Sequence, residues 1–402
     1  MLAEKNARGP DAVPTIDQLS SGTPVPGRWR DTAPDDGAIA SDAAKATGGA
    51  APAQAGGGYD MDAIRAEIAR APREDRDDEH ADKHAAAPAS GPQLGQQKTT
   101  GGAPLQGADP FVLPLADAWY MYTTGLAISK STDQGKTWKP IGHLPALAGY
   151  TNNWAPEVHQ VDGKFVAYTA LAKPDEPHQI FASTSTHPDK DFSTPKRVVS
   201  DRDKAPSSKP SLPVSMIDPT FFHDGNQNWL IWKEDWPSDS GVRRRIVMAR
   251  CDKTGTHLTG KPHVMLTAGV GVNSQHEHAP WGWSVEGPTL VAHGGKFWLF
   301  YSGAGYTKTG KYYVGVACAD KIQGPYKREP RPLITGDAGA LSPGHQSIIH
   351  VTINGKPEWL IYYHAYSGDP KDGNRYIMAS QLHWAKNGDP YVSGGHPDGK
   401  AG

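Results

Sequence analysis

An all-β fold, a five-bladed β-propeller over residues 104–397 behind a largely disordered N-terminal segment, is predicted by three observations. Short apolar, strand-length runs recur in triplets. Each triplet opens on a small, acidic or imidazole residue. Gly, Pro and Trp are frequent, with 45, 35 and 12 copies among 402 residues, a mix that suits short strands joined by many turns. Five triplets fit the C-terminal three quarters of the chain at intervals of roughly 50 to 70 residues, the size of a propeller blade.

The N-terminal part has a different texture. Residues 1–103 are dominated by Ala, Gly, Pro, Asp and Gln, as in "SDAAKATGGAAPAQAGGG". Such a stretch cannot bury enough apolar area to offset its chain entropy. Within it, Met61, Ile64 and Ile68 follow Asp60 at helical spacing, which predicts a short amphipathic helix near 60–70, transient in isolation. The start, "MLAEKNARGPDAVP", carries no basic and apolar pair of regions, so no secretory signal is visible in it. Net charge is −2, which gives no electrostatic reason for a nucleic-acid or membrane partner. No apolar run reaches the roughly 18 residues of a membrane helix. Two cysteines, Cys251 and Cys318, exclude a disulfide scaffold and a Cys-rich zinc site and read as free, half-buried thiols.

The blades follow in order. Their aromatic second strands are "AWYMYTT", "KFVAYTA", "NWLIWKE", "KFWLFYSG" and "EWLIYYHA", and their third strands "GLAISKS", "QIFASTS", "RIVMARC", "YYVGVAC" and "RYIMASQ". The units open near Asp109, Glu157, Asp218, Glu286 and His345. In "STDQGKTW", residues 131–138, the spacing is that of an Asp box, a hairpin turn fixed by its carboxylate and glycine on the outside of a blade. Trp232 and Trp236 of "IWKEDW" read as outer packing.

In a propeller the innermost strands all begin at one rim of the channel, so the five opening residues converge on one funnel. Several carboxylates around one cavity repel each other and cost desolvation, so stability does not explain them. Asp-Pro and Glu-Gly-Pro suit such a rim, because Pro lacks an N–H and is tolerated at a strand's first residues. Glycoside hydrolysis needs two carboxylates across a pocket: one protonates the leaving oxygen, and the other activates water or attacks. A third acid beside the proton donor raises its pKa.

"ADPFVL", "NNWAPEVHQVDGKFVAY", "MIDPTFF", "VEGPTLVAHGGKFWLFYS" and "PGHQSII" together resemble the family 43 glycoside hydrolases, in the same order over residues 105–395. The resemblance implies a five-bladed propeller that hydrolyses arabinose- or xylose-containing polysaccharides or oligosaccharides by an inverting single displacement. It implies Asp109 as general base, Asp218 as pKa modulator and Glu286 as general acid. His345 matches a histidine that in many members faces Ca2+ in the central channel; no organic cofactor is expected. The N-terminal hundred residues match nothing in that family. Invertase-type propellers, which retain configuration, are a poorer match: Ile217 precedes Asp218, and Gly287 follows Glu286, where they carry Arg and Cys.

Substrate contacts are expected from Trp154, Glu157 and Arg375, and from Trp281 and Trp283 in the polar loop "NSQHEHAPWGWSVEG". The His276-x-His278 pair in that loop supplies too few ligands for zinc. An α-L-arabinofuranosidase or arabinanase is the leading expectation. A β-xylosidase of the same family and a non-catalytic glycan-binding propeller are the alternatives. The substrate points to extracellular or periplasmic action, with cytoplasmic action on imported oligosaccharides left open in the absence of a visible signal. Oligomeric state is not readable.

Overall fold

Five antiparallel sheets account for the strands of the computed structural model, which describes residues 94–199, 215–238, 241–268, 284–337, 339–369 and 371–393, with 236–238 and 241–243 by backbone alone. The predicted helix near 60–70 lies outside the described residues. Blade 1 runs Phe111–Pro114, Trp119–Thr123, Ala127–Ser131 and Lys139–His143. Blade 2 runs Asn152–Val161, Lys164–Ala172, Gln179–Ser185 and Lys196–Arg197. Blade 3 comprises Ser215–His223, Asn228–Ser238, Gly241–Cys251 and His263–Thr267. Blade 4 comprises Val285–His293, Lys296–Gly303, Tyr313–Ala319 and Lys327–Arg328. Blade 5 has Ala340–Ile353, Lys356–Ser367 and Arg375–Trp384 as its first three strands.

The core is divided among the blade contacts. Tyr168 and Trp232 join blades 2 and 3, Leu299 and Met248 blades 4 and 3, and Trp298 and Ile361 blades 4 and 5. Trp138 and Tyr362 join blades 1 and 5, and Tyr122 and Val158 join blades 1 and 2. A blade is therefore covered on both faces, which is why its second strand reads as a continuous aromatic run instead of alternating. Each side chain fully buried this way contributes roughly 1.5–3 kcal/mol.

The ring closes on blade 5, whose outer edge is built from both ends of the described chain. Gly95–Gln96 pairs with Met378 and Ala379, and Pro390–Ser393 pairs with Gln381 to Trp384. Gln97, fully buried, donates its N–H to Ile377 O at 2.8 Å and accepts the Trp138 indole N–H at 3.1 Å. The sequence boundary at 103/104 thus falls inside a strap that stitches blade 5 to blade 1.

The Asp box forms as read. Asp133 accepts from the Ser131 hydroxyl at 2.7 Å and from the Thr137 N–H at 3.0 Å. Gly135 turns at φ +80°, and a Cβ there would lie 2.7 Å from the Tyr362 hydroxyl and 2.8 Å from the Trp119 ring. Cys251 and Cys318 are free, the first buried and the second half-buried.

Candidate active site

Every innermost strand bends at its start, and the bend fixes the rim of the funnel. Asp109, Ala155, Asp218, Gly287 and His345 have φ of 56°, 44°, 56°, 54° and 52°. Four are followed by proline (Pro110, Pro156, Pro219, Pro288) and the fifth by Gln346. Two residues beyond each bend, Phe111, Glu157, Thr220, Thr289 and Ser347 pair with the second strand. This corrects the repeat register read from the carboxylates. Glu157 and Glu286 are not equivalents of Asp109, Asp218 and His345: Ala155 and Gly287 are. The acids occupy different places around the same bend: Asp109 and Asp218 sit at it, Glu286 one residue before it and Glu157 two after it, and blades 2, 3 and 4 share the β-bulge there.

The second strands supply a matching belt. Two positions beyond the cross-strand partners of Phe111, Glu157, Thr220, Thr289 and Ser347 come Thr124, Ala170, Lys233, Ser302 and His364. Three of them hold the bend of the next blade. The Thr124 hydroxyl accepts the Ala155 N–H at 2.9 Å, the Ser302 hydroxyl accepts the His345 N–H at 2.7 Å, and His364 Nδ1 accepts the Asp109 N–H at 3.0 Å. In blade 3 a lysine, which cannot accept, replaces the acceptor. The Gly287 N–H turns instead to Asp218 Oδ2 at 2.8 Å, which ties Asp218 to the backbone beside Glu286. The Gln346 amide closes the set by donating to Gly287 O at 2.6 Å.

Around this belt the three acids sit in different fields. Asp109 Oδ1 is 3.2 Å from His345 Nδ1, 3.3 Å from His364 Nδ1 and 3.7 Å from Arg375 Nη1, and Thr124 donates to Oδ2. Burial alone would raise its pKa; His345, His364, Arg375 and the Thr124 hydroxyl outweigh it and hold Asp109 at about 2. Burial pushes His364 itself down to about 3, so that ring is neutral near pH 7 and the permanent positive charge beside Asp109 is that of Arg375. His345 is buried, which disfavours its cation, but Asp109, Asp218, Glu157 and Glu286 together raise it above the ordinary value. Asp218 goes the other way from Asp109: burial, then the nearby Glu286 carboxylate, push it up against the pull of His345 and Lys233. Glu286 is held at both oxygens, Oε1 accepting from the Tyr312 hydroxyl at 2.8 Å and Oε2 lying 3.6 Å from Lys233 Nζ.

The structure brings together Asp109, Asp218, Glu286, His345 and Arg375. Glu157 is buried in the channel wall with His159 Nε2 at 2.7 Å. Trp154 is half-buried and stacks on His178 at 3.9 Å. Trp281, Trp283, His276 and His278 lie outside the described residues. Trp232, read as outer packing, is instead buried in the core between blades 2 and 3, with its indole N–H donated to Glu234 at 3.1 Å. A cavity of about 1230 Å³ among the described residues is not the funnel. Leu113, Val161, Phe222 and Val351, where the innermost strands end, help to line it, so it faces the other end of the axis, and none of the three acids lines it.

Sequence reasoning missed Thr124, Lys233, Ser302, Tyr312 and His364. Four of them carried a signal: one polar residue near the end of an otherwise aromatic strand, at the same place in four of five repeats. Tyr312 carried none, since it follows a turn and resembles its neighbour Tyr313.

A propeller whose axial funnel gathers an ionised aspartate, an aspartate of raised pKa and a doubly held glutamate belongs to the class of carboxylate-funnel propellers. Within that class the chain belongs to the glycosyl hydrolases family 43, whose model matches residues 103–390. It is 25% identical over 325 residues to an α-L-arabinofuranosidase 43 of Humicola insolens, covering 73% of this chain and 63% of that one. It is 26% identical over 344 residues to an extracellular exo-α-(1→5)-L-arabinofuranosidase of Streptomyces avermitilis, covering 76% and 65%. The chain thus spans a little under two thirds of the length of these two relatives. A crystal structure of a thermostable family-43 glycoside hydrolase superposes with a TM-score of 0.60 at 23% identity, over 74% of this chain and 96% of that one, a likeness of fold.

Proposed function

We propose that this chain hydrolyses α-L-arabinofuranosyl linkages in arabinose-containing polysaccharides or oligosaccharides by a single, inverting displacement. The observation that carries the reading is the opposed tuning of two buried aspartates in one funnel, Asp109 held at about 2 and Asp218 pushed up, with Glu286 tied to the second through the Gly287 N–H. Such divergence leaves Asp109 ionised, as a base must be, and Asp218 able to hold a proton beside Glu286. Asp109 is the general base. It accepts a proton from the water whose oxygen bonds to the anomeric carbon. Glu286 is the general acid; its O–H bond breaks as the leaving oxygen gains the proton and the glycosidic C–O electron pair. Asp218 keeps a proton within the Asp218–Glu286 pair, because two buried carboxylates side by side resist double ionisation.

Trp154 offers a sugar ring the face that His178 leaves free. Glu157, Arg375, Trp281 and Trp283 complete the substrate contacts. A central Ca2+ at His345 belongs to the same proposal. Among the described residues no group of three or more His, Cys, Asp or Glu side chains is placed to hold a metal ion, so this chain offers such a cation one imidazole and leaves most of its usual six to eight ligands to water. Action outside the cell is supported by the Streptomyces avermitilis relative, which is named as extracellular. No helix among the described residues is long and apolar enough to cross a membrane.

The test is proton NMR of the sugar first released from arabinan and from xylo-oligosaccharides, with Glu286→Gln as control. Inverted arabinose, absent in the control, is expected. Xylose in its place would assign the alternative β-xylosidase activity, a retained anomer would remove the single displacement, and no release from either polymer would favour a glycan-binding propeller.

A further inference from the structure

We propose that Tyr312 and Lys233 are positioning residues that aim Glu286 for proton delivery, an inference that rests on the acid role given to Glu286 above. Glutamate has three rotatable side-chain bonds, and a misdirected acid loses the advantage of being bound beside the leaving group. Here the carboxyl is held from two blades. Tyr312, just ahead of the third strand of blade 4, donates to Oε1 at 2.8 Å. Lys233, on the second strand of blade 3, stands 3.6 Å from Oε2.

Both holders are themselves fixed. Tyr312 is almost fully buried and stacks on His364, with ring centroids 5.8 Å apart and planes 16° from parallel. Its place exists because residue 344 is glycine: a Cβ there would lie 2.1 Å from ring carbons Cδ1 and Cε1 of Tyr312. Lys233 is buried and anchored by Asp235 at 3.1 Å, so its charge is poorly screened.

The two contacts divide the work between the oxygens. Oε1 is occupied as an acceptor, which leaves Oε2 as the oxygen that carries the proton. At 3.6 Å the ammonium is too far for a normal hydrogen bond to Oε2, yet close enough to favour the carboxylate that forms as the proton leaves. The same lysine replaces the acceptor that three other blades place at this level. It thereby frees the Gly287 N–H for Asp218. One sequence change at blade 3 thus recruits both neighbours of the acid.

The experiment compares Tyr312→Phe and Lys233→Met with the unaltered protein and Glu286→Gln on two substrates of the released sugar. One is a 2,4-dinitrophenyl glycoside, whose leaving group departs without protonation; the other is an unactivated oligosaccharide, which needs the acid. Tyr312→Phe keeps the ring and is expected to keep its thermal melt and KM. It is expected to lose about tenfold in kcat on the oligosaccharide, the ratio equivalent to roughly 1.4 kcal/mol, and less than about twofold on the dinitrophenyl glycoside. Lys233→Met is expected to show the same asymmetry, and Lys233→Arg, which keeps the charge, to recover part of the loss. Equal losses on both substrates, or no loss in a folded Tyr312→Phe protein, would overturn the inference. If Glu286→Gln itself shows no asymmetry, the acid assignment falls and this inference with it; asymmetry there without asymmetry in Tyr312→Phe removes the positioning role alone.

Discussion

Replacing Asp218 with asparagine should make the protein more stable and nearly inactive. In the folded chain Asp218 is raised from 3.8 to about 7 by burial and by Glu286, so folding works against its ionisation. The stability it costs is absent below about 3.8, grows as pH rises, and is complete above about 7. A rise of roughly three units caps that cost at about 4 kcal/mol. Asparagine removes the charge and keeps an oxygen to accept the Gly287 N–H, but its amide group needs a partner of its own, so we take about half, roughly 2 kcal/mol, as the net gain. For a domain of this size that is about 4 °C in Tm. Thermal melts of both proteins from pH 4.5 to 8.5, with rates measured alongside, are the assay. The gap in Tm should widen with pH while the variant turns over little substrate. A gap that stays constant across the range, or an asparagine variant that melts lower at pH 8, would refute the reasoning.

Other perturbations separate chemistry from scaffold. Asp109→Asn and Glu286→Gln should each lower kcat by about 10²–10⁴ while the far-UV spectrum stays native; a variant that remains active loses its assigned role. Gln97→Leu strands the buried Trp138 indole N–H and should cost about 1–3 kcal/mol, read as a lower midpoint in urea, with activity per folded molecule unchanged. Removing residues 1–93 should leave that midpoint in place, whereas removal through residue 103 should lower it. Gly135→Ala meets both a φ of +80° and a blocked Cβ position, and should destabilise by a few kcal/mol without altering KM.

What could be read from the sequence, and what could not, follows from the periods involved. The aromatic second strands stood out because each blade packs a neighbour on both faces, so "NWLIWKE" and "KFWLFYSG" have no polar face to blur them. The acids stood out because proline and glycine follow them. Their register did not, since the repeat is set by the backbone bend, and Glu286 stands one residue before it and Glu157 two after it. Ala155 holds the same bend with no functional side chain, and nothing in "NNWAPEV" marks it as the equivalent of Asp109. The belt of Thr124, Ser302 and His364 was missed for another reason: its hydrogen bonds join one blade to the next, and a repeat read one unit at a time cannot show a bond between units. Tyr312 depends on the space left by Gly344, a contact that no local pattern encodes.

One of those bonds between blades has a consequence for biosynthesis. The Asp109 N–H is received by His364, 255 residues further along the chain. Asp109, the proposed base, is among the first parts of the propeller to leave the ribosome, and its anchor is among the last. A nascent chain, or one that ends early, therefore carries all three acids well before it can hold the first in place. Contacts of such sequence separation form late and slowly. If the proposed hydrolysis holds, it reports a closed propeller: no fragment lacking the fifth blade should cut sugar, however well its earlier blades fold.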